Sequence, residues 1–266
     1  MPRYKLLIEY DGRPFSGWQR QDNAPSVMGL IEESLFKFTH ERVTLFGAGR
    51  TDSGVHATGQ VAHMDLERDW HSLKLNEALN FFLKESGVAI LNVWKVADAF
   101  DSRFNAVKRY YRYRICNRRA PLTFEIGRAW QYSYAIDVER MQEGADQLIG
   151  HYDFTTFRAT ACQAKSPWRT MEKLTISREG EWVYMDAMAR SFLHNQIRSF
   201  VGSLVEVGSG RKPVEWISEI LEARDRRACG PVAPPDGLYL TQVDYPEDID
   251  YVILEEPWQG HGHKKA

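Results

Sequence analysis

Between two apolar runs the chain reads GAGRTDSGVHATGQ, from Gly47 to Gln60. Four of these fourteen residues are glycine, so the backbone is free to take positive φ and to come close to a ligand. The segment holds one acid, Asp52, with Arg50 two residues before it, and no other acid lies between Glu41 and Asp65. A carboxylate held at a fixed point beside a cation suits nucleophilic or acid–base work. A plainer role fits the same residue types: Asp52 as an Asx-turn residue and Arg50 as a solvated loop charge. Pattern excludes some other chemistries. The loop lacks the GK[ST] ending of a P-loop and the glycine spacing of a dinucleotide site. Ser53 does not stand in a G-x-S-x-G elbow. His56 and His63 are seven apart and make a poor ligand pair, so no metal is expected.

The elements that must hold this loop follow from periodicity. Tyr4–Tyr10 reads as a strand ended by Asp11-Gly12. Ser26 caps a helix with Val27, Leu30, Ile31, Leu35 and Phe36 at helical spacing, up to about His40. Val43–Ala48 and Gln60–Leu66 read as strands on either side of the glycine-rich loop. A helix over Leu73–Glu85, closed by Ser86-Gly87, leads to a strand over Val88–Val96. The order is β-α-β-β-α-β, the split βαβ or ferredoxin-like arrangement. The second half repeats it. Arg109–Cys116 alternates as a strand, and Asp137 caps a helix through Ile149 that Gly150 ends. Lys173–Ser177 and Trp182–Ala189 form a hairpin, Phe192–Val207 and Pro213–Ala223 read as helices, and Leu238–Tyr245 is the closing strand. The expectation is an α+β chain of two ferredoxin-like halves, residues 1–104 and 105–245, with joined antiparallel sheets and a central cleft. An acidic, then His/Lys-rich tail over 246–266 is expected to fray.

Net charge is −2, from 34 basic and 36 acidic residues, which argues against a protein coated in positive charge. The distribution is uneven. From Arg103 to Arg119 the chain reads RFNAVKRYYRYRICNRR, with Arg103, Lys108, Arg109, Arg112, Arg114, Arg118 and Arg119 and no acid. A local basic face of this kind fits a polyanion partner. On period 2, Tyr111, Tyr113 and Ile115 share one face of the strand, and Tyr110, Arg112 and Arg114 the other. The tyrosines then face core or cleft, and the arginines solvent or RNA. No apolar run nears the roughly 18–20 residues that span a bilayer, and MPRYKLLIEYDG has neither signal-peptide nor anchor pattern. Three scattered cysteines, Cys116, Cys162 and Cys229, frame no disulfide set and fit a reducing cytosol.

GRTDSGVHATGQVAH resembles the signature of the tRNA pseudouridine synthase A family. So do YDGRPFSGWQRQ (Tyr10–Gln21), RYYRYRI, DFTTF-R (Asp153–Arg158) and SFLHNQIRSFVGSL (Ser191–Leu204), in the same order over nearly the whole chain. The resemblance implies that Asp52 is the catalytic aspartate and Arg50 the arginine beside it. Tyr111 then contacts the target base, and Arg198 pairs with the catalytic carboxylate. It further implies a homodimer in which one tRNA touches both subunits, and modification of uridines 38, 39 and 40 of the anticodon stem-loop; the expected cytoplasmic location rests on the cysteine usage. Ser53, where alanine is common in the family, and FFLKESG after Asn80, where many relatives have a Leu-Pro step, depart from the pattern.

The reaction breaks the N1–C1′ bond of uridine and joins C5 to C1′. The product is an isomer, so no oxidant, energy donor or cofactor is needed. The enzyme needs a carboxylate near C1′ or C6, either as nucleophile or as base in a glycal-type route. It also needs a cation for that carboxylate and an aromatic face for a base taken out of its stack. Arg103, Lys108, Arg109, Arg112 and Arg114 are the expected phosphate contacts. Residue types alone leave other readings open: strand packing for the tyrosines, a helix-edge charge for Arg198, and a non-catalytic RNA-binding module or a small-molecule α+β enzyme for the whole. The RNP1 pattern of RNA-recognition modules is absent, and a binding module has no use for an acid in a glycine-rich loop.

Overall fold

A computed structural model describes residues 1–246. The described chain divides into two compact units, Met1–Val107 with residues 243–246, and Lys108–Gln242. The expected fraying of the tail falls on positions outside the described residues, apart from Pro246.

The first unit runs β1 (Arg3–Tyr10), α1 (Val27–Thr39), β2 (Phe46–Gly47), β3 (His56–Asp65), α2 (Ser72–Leu83) and β4 (Val88–Val96). The spatial order is β4-β1-β3, with β2 beside β3, and every one of these pairings is antiparallel. Strand β3 thus lies between β1 and β2, the two strands that α1 connects. The Ser26 hydroxyl accepts the Gly29 N–H at 3.2 Å to start α1, and Val27, Ile31 and Leu35 are buried along it. Strand β2 is shorter than the Val43–Ala48 run suggests. The Leu45 amide donates to the buried Glu32 carboxylate at 2.9 Å, so that backbone leaves the ladder. Strand β3 begins four residues earlier than Gln60, because His56–Gly59 continue the antiparallel path opposite the end of β1.

In the second unit β5 (Lys108–Cys116), β6 (Trp130–Gln131), α3 (Val138–Asp146), β7 (Gly150–Asp153), β8 (Trp168–Glu179), β9 (Trp182–Ala189), α4 (Gln196–Gly208), α5 (Trp216–Ala223) and β10 (Leu238–Asp244) follow. The sheet order is β10-β5-β9-β8-β7, with the two-residue β6 parallel to β5. Strands β5, β8, β9 and β10 repeat the fourth-first-third-second order of the first unit, and β7 and β6 are additions. Helix α3 stops at Asp146, short of the expected end at Ile149, and Gly150, at φ +133°, opens β7 instead of ending the helix. Helix α4 starts at Gln196 and not at Phe192, since Asn195 is left-handed at φ 63° and cannot lie inside an α-helix. The first turn expected of α5 at Pro213 is closed by i→i+3 bonds, Trp216 N–H to Pro213 and Ile217 N–H to Val214. Phe154, Phe157 and Phe200 form a buried aromatic cluster with centroids 4.9–6.3 Å apart.

His63, on β3, is buried against Phe46 and Phe100. The Ser102 amide donates to its Nδ1 at 3.1 Å, which places the ring proton on Nε2. Burial, then the nearby Arg3 charge, lowers its pKa. The unfolded chain therefore takes up a proton near pH ~6.5 that native His63 refuses, and stability present above that pH is lost as pH falls. His63→Asn keeps an acceptor and does not titrate. Its stability deficit against the parent, measured by urea unfolding from pH 8 to 5.5, is expected to shrink as pH drops; a constant deficit would show that His63 does not carry this linkage.

Candidate active site

Asp52 lies half-buried in the loop between β2 and β3. The Val55 amide donates to the Asp52 carbonyl at 3.1 Å, closing a tight turn in which Gly54 has φ 76°. Of the four glycines in the segment only Gly54 has positive φ. Gly47 serves close approach instead, because a Cβ there would lie 2.5 Å from Trp18 Nε1.

The loop is clasped by residues 10–18. The Trp18 amide donates to the Thr51 carbonyl at 3.1 Å, and the Tyr10 and Thr51 hydroxyls meet at 2.7 Å. The Gly12 amide donates to His56 Nδ1 at 3.0 Å, and the Ser53 hydroxyl to the Phe15 carbonyl at 3.3 Å. Gln60 reaches back to the Gly49 carbonyl at 2.9 Å. Tyr10 and Trp18 are buried with ring centroids 6.1 Å apart. Asp52 is thus flanked by backbone tied down on both sides. Arg50 is exposed in the same loop.

Tyr111 and Arg198 belong to the second unit. Tyr111 is half-buried on β5, paired opposite Ala187, with its ring edge-on to Phe192 at 5.1 Å. Tyr113, two residues on, is fully buried and donates to the Pro234 carbonyl at 2.7 Å. Burial raises its pKa well above the phenol range, and the nearby Arg198 charge opposes that. Arg198 is half-buried in the first turn of α4. Its Nε donates to the Ala233 carbonyl at 2.7 Å and its Nη1 to Asn195 Oδ1 at 3.0 Å. The Ala233 amide returns a bond to the Arg198 carbonyl at 3.0 Å. Side chain and backbone of Arg198 are therefore both fastened to the segment before β10.

The basic run is less bare than its sequence. Lys108 faces Glu172 at 3.4 Å, Arg112 grips Asp186 at 2.7 and 2.9 Å, Arg114 meets Glu125 at 3.0 Å, and Arg118 meets Glu181 at 2.8 Å. Arg109 is buried and donates to the Arg190 carbonyl. Arg114 is half-buried against Trp182 and Tyr239, so the expected solvent-facing arginine side includes an enclosed member. Arg103 and Arg112 are exposed. The pairing acids come from other segments, which a window over residues 103–119 does not see. Among the described residues no group of three His, Cys, Asp or Glu is placed to hold a metal ion.

The family model described as tRNA pseudouridine synthase matches residues 6–105 and 145–246. This chain belongs to the tRNA pseudouridine synthase family. Proteins named tRNA pseudouridine synthase A from Rhizobium meliloti (strain 1021) and Brucella ovis (strain ATCC 25840 / 63/290 / NCTC 10512) are each 56% identical to it over 247 residues. The alignments span 92% of this chain, with 100% of the Rhizobium protein and 98% of the Brucella one. Asp52 and Arg50 fall in the first segment matched to the synthase family, and Arg198 in the second; Tyr111 and the run Lys108–Arg119 lie between the two.

Sequence reasoning gave no role to Tyr10, Thr51 and Ala233 and left Trp18 as structural; for Asn195 it weighed RNA contact against helix capping, and the structure shows no cap bond from its side chain. For Trp18 a signal existed, a bulky aromatic among polar residues in GWQRQ, but nothing local says that it lies under Gly47. Gly47→Ala places a methyl group against a tryptophan that is 1% exposed and has nowhere to go. A loss of about 1–3 kcal/mol, read as a lower midpoint in chemical unfolding, is the expected outcome. An unchanged midpoint would mean that the Trp18 ring yields.

Proposed function

We propose that this protein isomerises uridine to pseudouridine in tRNA, at positions 38, 39 and 40 of the anticodon stem-loop, with Asp52 as its catalytic residue. The observation that carries the reading is the single acid of the glycine-rich loop, held by bonds to Thr51, Ser53, Gly49 and His56 on both sides of it. A carboxylate meant only to make a turn needs no such scaffold. The names of the relatives, tRNA pseudouridine synthase A, support the substrate class.

In this reading the target uridine leaves its stack and rests against Tyr111. The Asp52 carboxylate works at the ribose as the N1–C1′ bond breaks. The detached uracil turns, C5 bonds to C1′, C5 gives up its proton and N1 regains one. Nucleophilic and glycal routes place the same carboxylate at the same sugar. Arg198 supplies the positive charge that pairs with it, and Arg50 is the cation to fill the space that the base vacates. The exposed part of the Arg103–Arg119 run, with Arg103 and Arg112 foremost, meets phosphates. The protein acts as a homodimer, as the resemblance implies, in the reducing cytoplasm that its scattered cysteines fit. Among the described residues no helix is long and apolar enough to cross a membrane.

Asp52→Asn keeps size and turn-forming ability and removes the charge. With unmodified tRNA labelled at uracil C5, the variant is expected to release no label in single turnover, while tRNA affinity and melting temperature stay near the parent. Substantial release would end the assignment of Asp52.

The Arg112–Asp186 pair supplies a second test. Asp186→Asn frees the guanidinium from its carboxylate, so tRNA affinity at low salt is expected to rise. The slope of log affinity against log salt should steepen by up to about one contact. Unchanged affinity and slope would take the Arg112 face off the RNA path.

A further inference from the structure

The first turn of α4 is built in an unusual way. Asn195, the residue before the helix, is left-handed at φ 63° and ψ 5°. An asparagine at this place ordinarily accepts a backbone N–H of the first turn through its side chain. Asn195 makes no such cap bond. Gln196 secures the turn instead, with its Oε1 accepting the Leu193 amide at 2.8 Å. The Asn195 side-chain oxygen is committed elsewhere, to Arg198 Nη1 at 3.0 Å.

We propose that Asn195 is a positioning residue of the isomerisation, whose side-chain oxygen fixes the plane of the Arg198 guanidinium. The proposal rests on the reading of Arg198 as the cation that pairs with the catalytic carboxylate. A planar fork delivers charge and directed bonds only when its orientation is set. The Ala233 carbonyl holds Nε at 2.7 Å, and Asn195 Oδ1 holds Nη1 at 3.0 Å. Two anchors on different nitrogens remove rotation about the last bond of the side chain. The charge of Arg198 then stays at one point as the base turns.

The backbone sharpens the case. Glycine reaches a left-handed conformation with less strain than any residue that carries a Cβ. A site that asked only for this conformation is best filled by glycine. Asparagine tolerates the conformation and adds the oxygen. Helix initiation does not use that oxygen, and Arg198 does.

Asn195→Gly therefore separates the two roles, since it eases the backbone and deletes the acceptor. With labelled, unmodified tRNA in single turnover, its rate is expected to fall roughly 10- to 150-fold, the range for losing one hydrogen bond to a charged group. The dissociation constant for tRNA and the melting temperature should hold near those of the parent. Arg198→Met, which keeps the stem and removes the charge, is measured alone and together with Asn195→Gly. If Asn195 acts through Arg198, the double variant is no slower than Arg198→Met alone. An Asn195→Gly variant with the parental rate overturns the proposal, and so does one whose loss multiplies with that of Arg198→Met. Full activity of Arg198→Met overturns the reading of Arg198 itself, and the proposal with it. Pseudouridine formation by the parent protein tests the function independently of both.

Discussion

The amide of Trp18 donates to the Thr51 carbonyl at 3.1 Å, and the Thr51 hydroxyl meets that of Tyr10 at 2.7 Å. These two contacts fix the residue directly before Asp52, and most of the first unit is arranged so that they can form. Strand β1 ends at Tyr10 and delivers its hydroxyl. The chain then passes under the loop, buries Trp18 beneath Gly47 and enters α1 through Ser26. Beyond the turn at Gly54, β3 begins at His56, whose Nδ1 takes the Gly12 amide at 3.0 Å. The segment that enters α1 and the loop that enters β3 each satisfy the other's backbone. Neither has regular secondary structure of its own to do so.

The second unit reaches the same end by another means. Arg198 is anchored through side chain and carbonyl to a single residue, Ala233, across thirty-five positions of chain. Tyr113 donates to Pro234 next door, and burial keeps that phenol in its neutral, donating form. A short proline-rich stretch thus binds β5 and α4 at once. In each unit a long-range bond to main-chain atoms helps to determine where the candidate side chain, Asp52 or Arg198, starts.

Elements with strong local codes were legible in the sequence. Strand β4 occupies Val88–Val96 as its pattern indicates, and β9 occupies Trp182–Ala189. Helix α1 starts at its Ser26 cap. The misses come from specific partners and backbone conformations that periodicity does not show. Val43–Leu45 has strand composition, yet the Leu45 amide is taken by Glu32. Phe192–Asn195 has helix composition, yet Asn195 adopts the left-handed conformation and Leu193 is held by Gln196. The short β6 and β7 carry too few residues to show a period. Of the candidate site, Asp52 stands out in the sequence as an acid alone among glycines, while Tyr111 and Arg198 entered only through the resemblance. Its scaffold was not, since Tyr10, Trp18 and Ala233 look like ordinary packing until their contacts are seen.

Charge gives the same lesson at the scale of a surface. Residues 103–119 contain seven bases and no acid, yet Glu172, Asp186, Glu125 and Glu181 meet four of those bases in the fold. Under the proposed function this pairing restrains non-specific attraction. A phosphate that approaches Arg112 competes with Asp186, so it gains little by arriving alone. A stem of the right shape brings several phosphates together, and the competing acids are then displaced at several places at once. A protein with net charge −2 can in this way hold a polyanion without being basic, because selectivity comes from the spacing of paired charges and not from their surplus. The loop that carries Asp52 and the side chain of Arg198 follow the same rule, each held by bonds formed within its own unit.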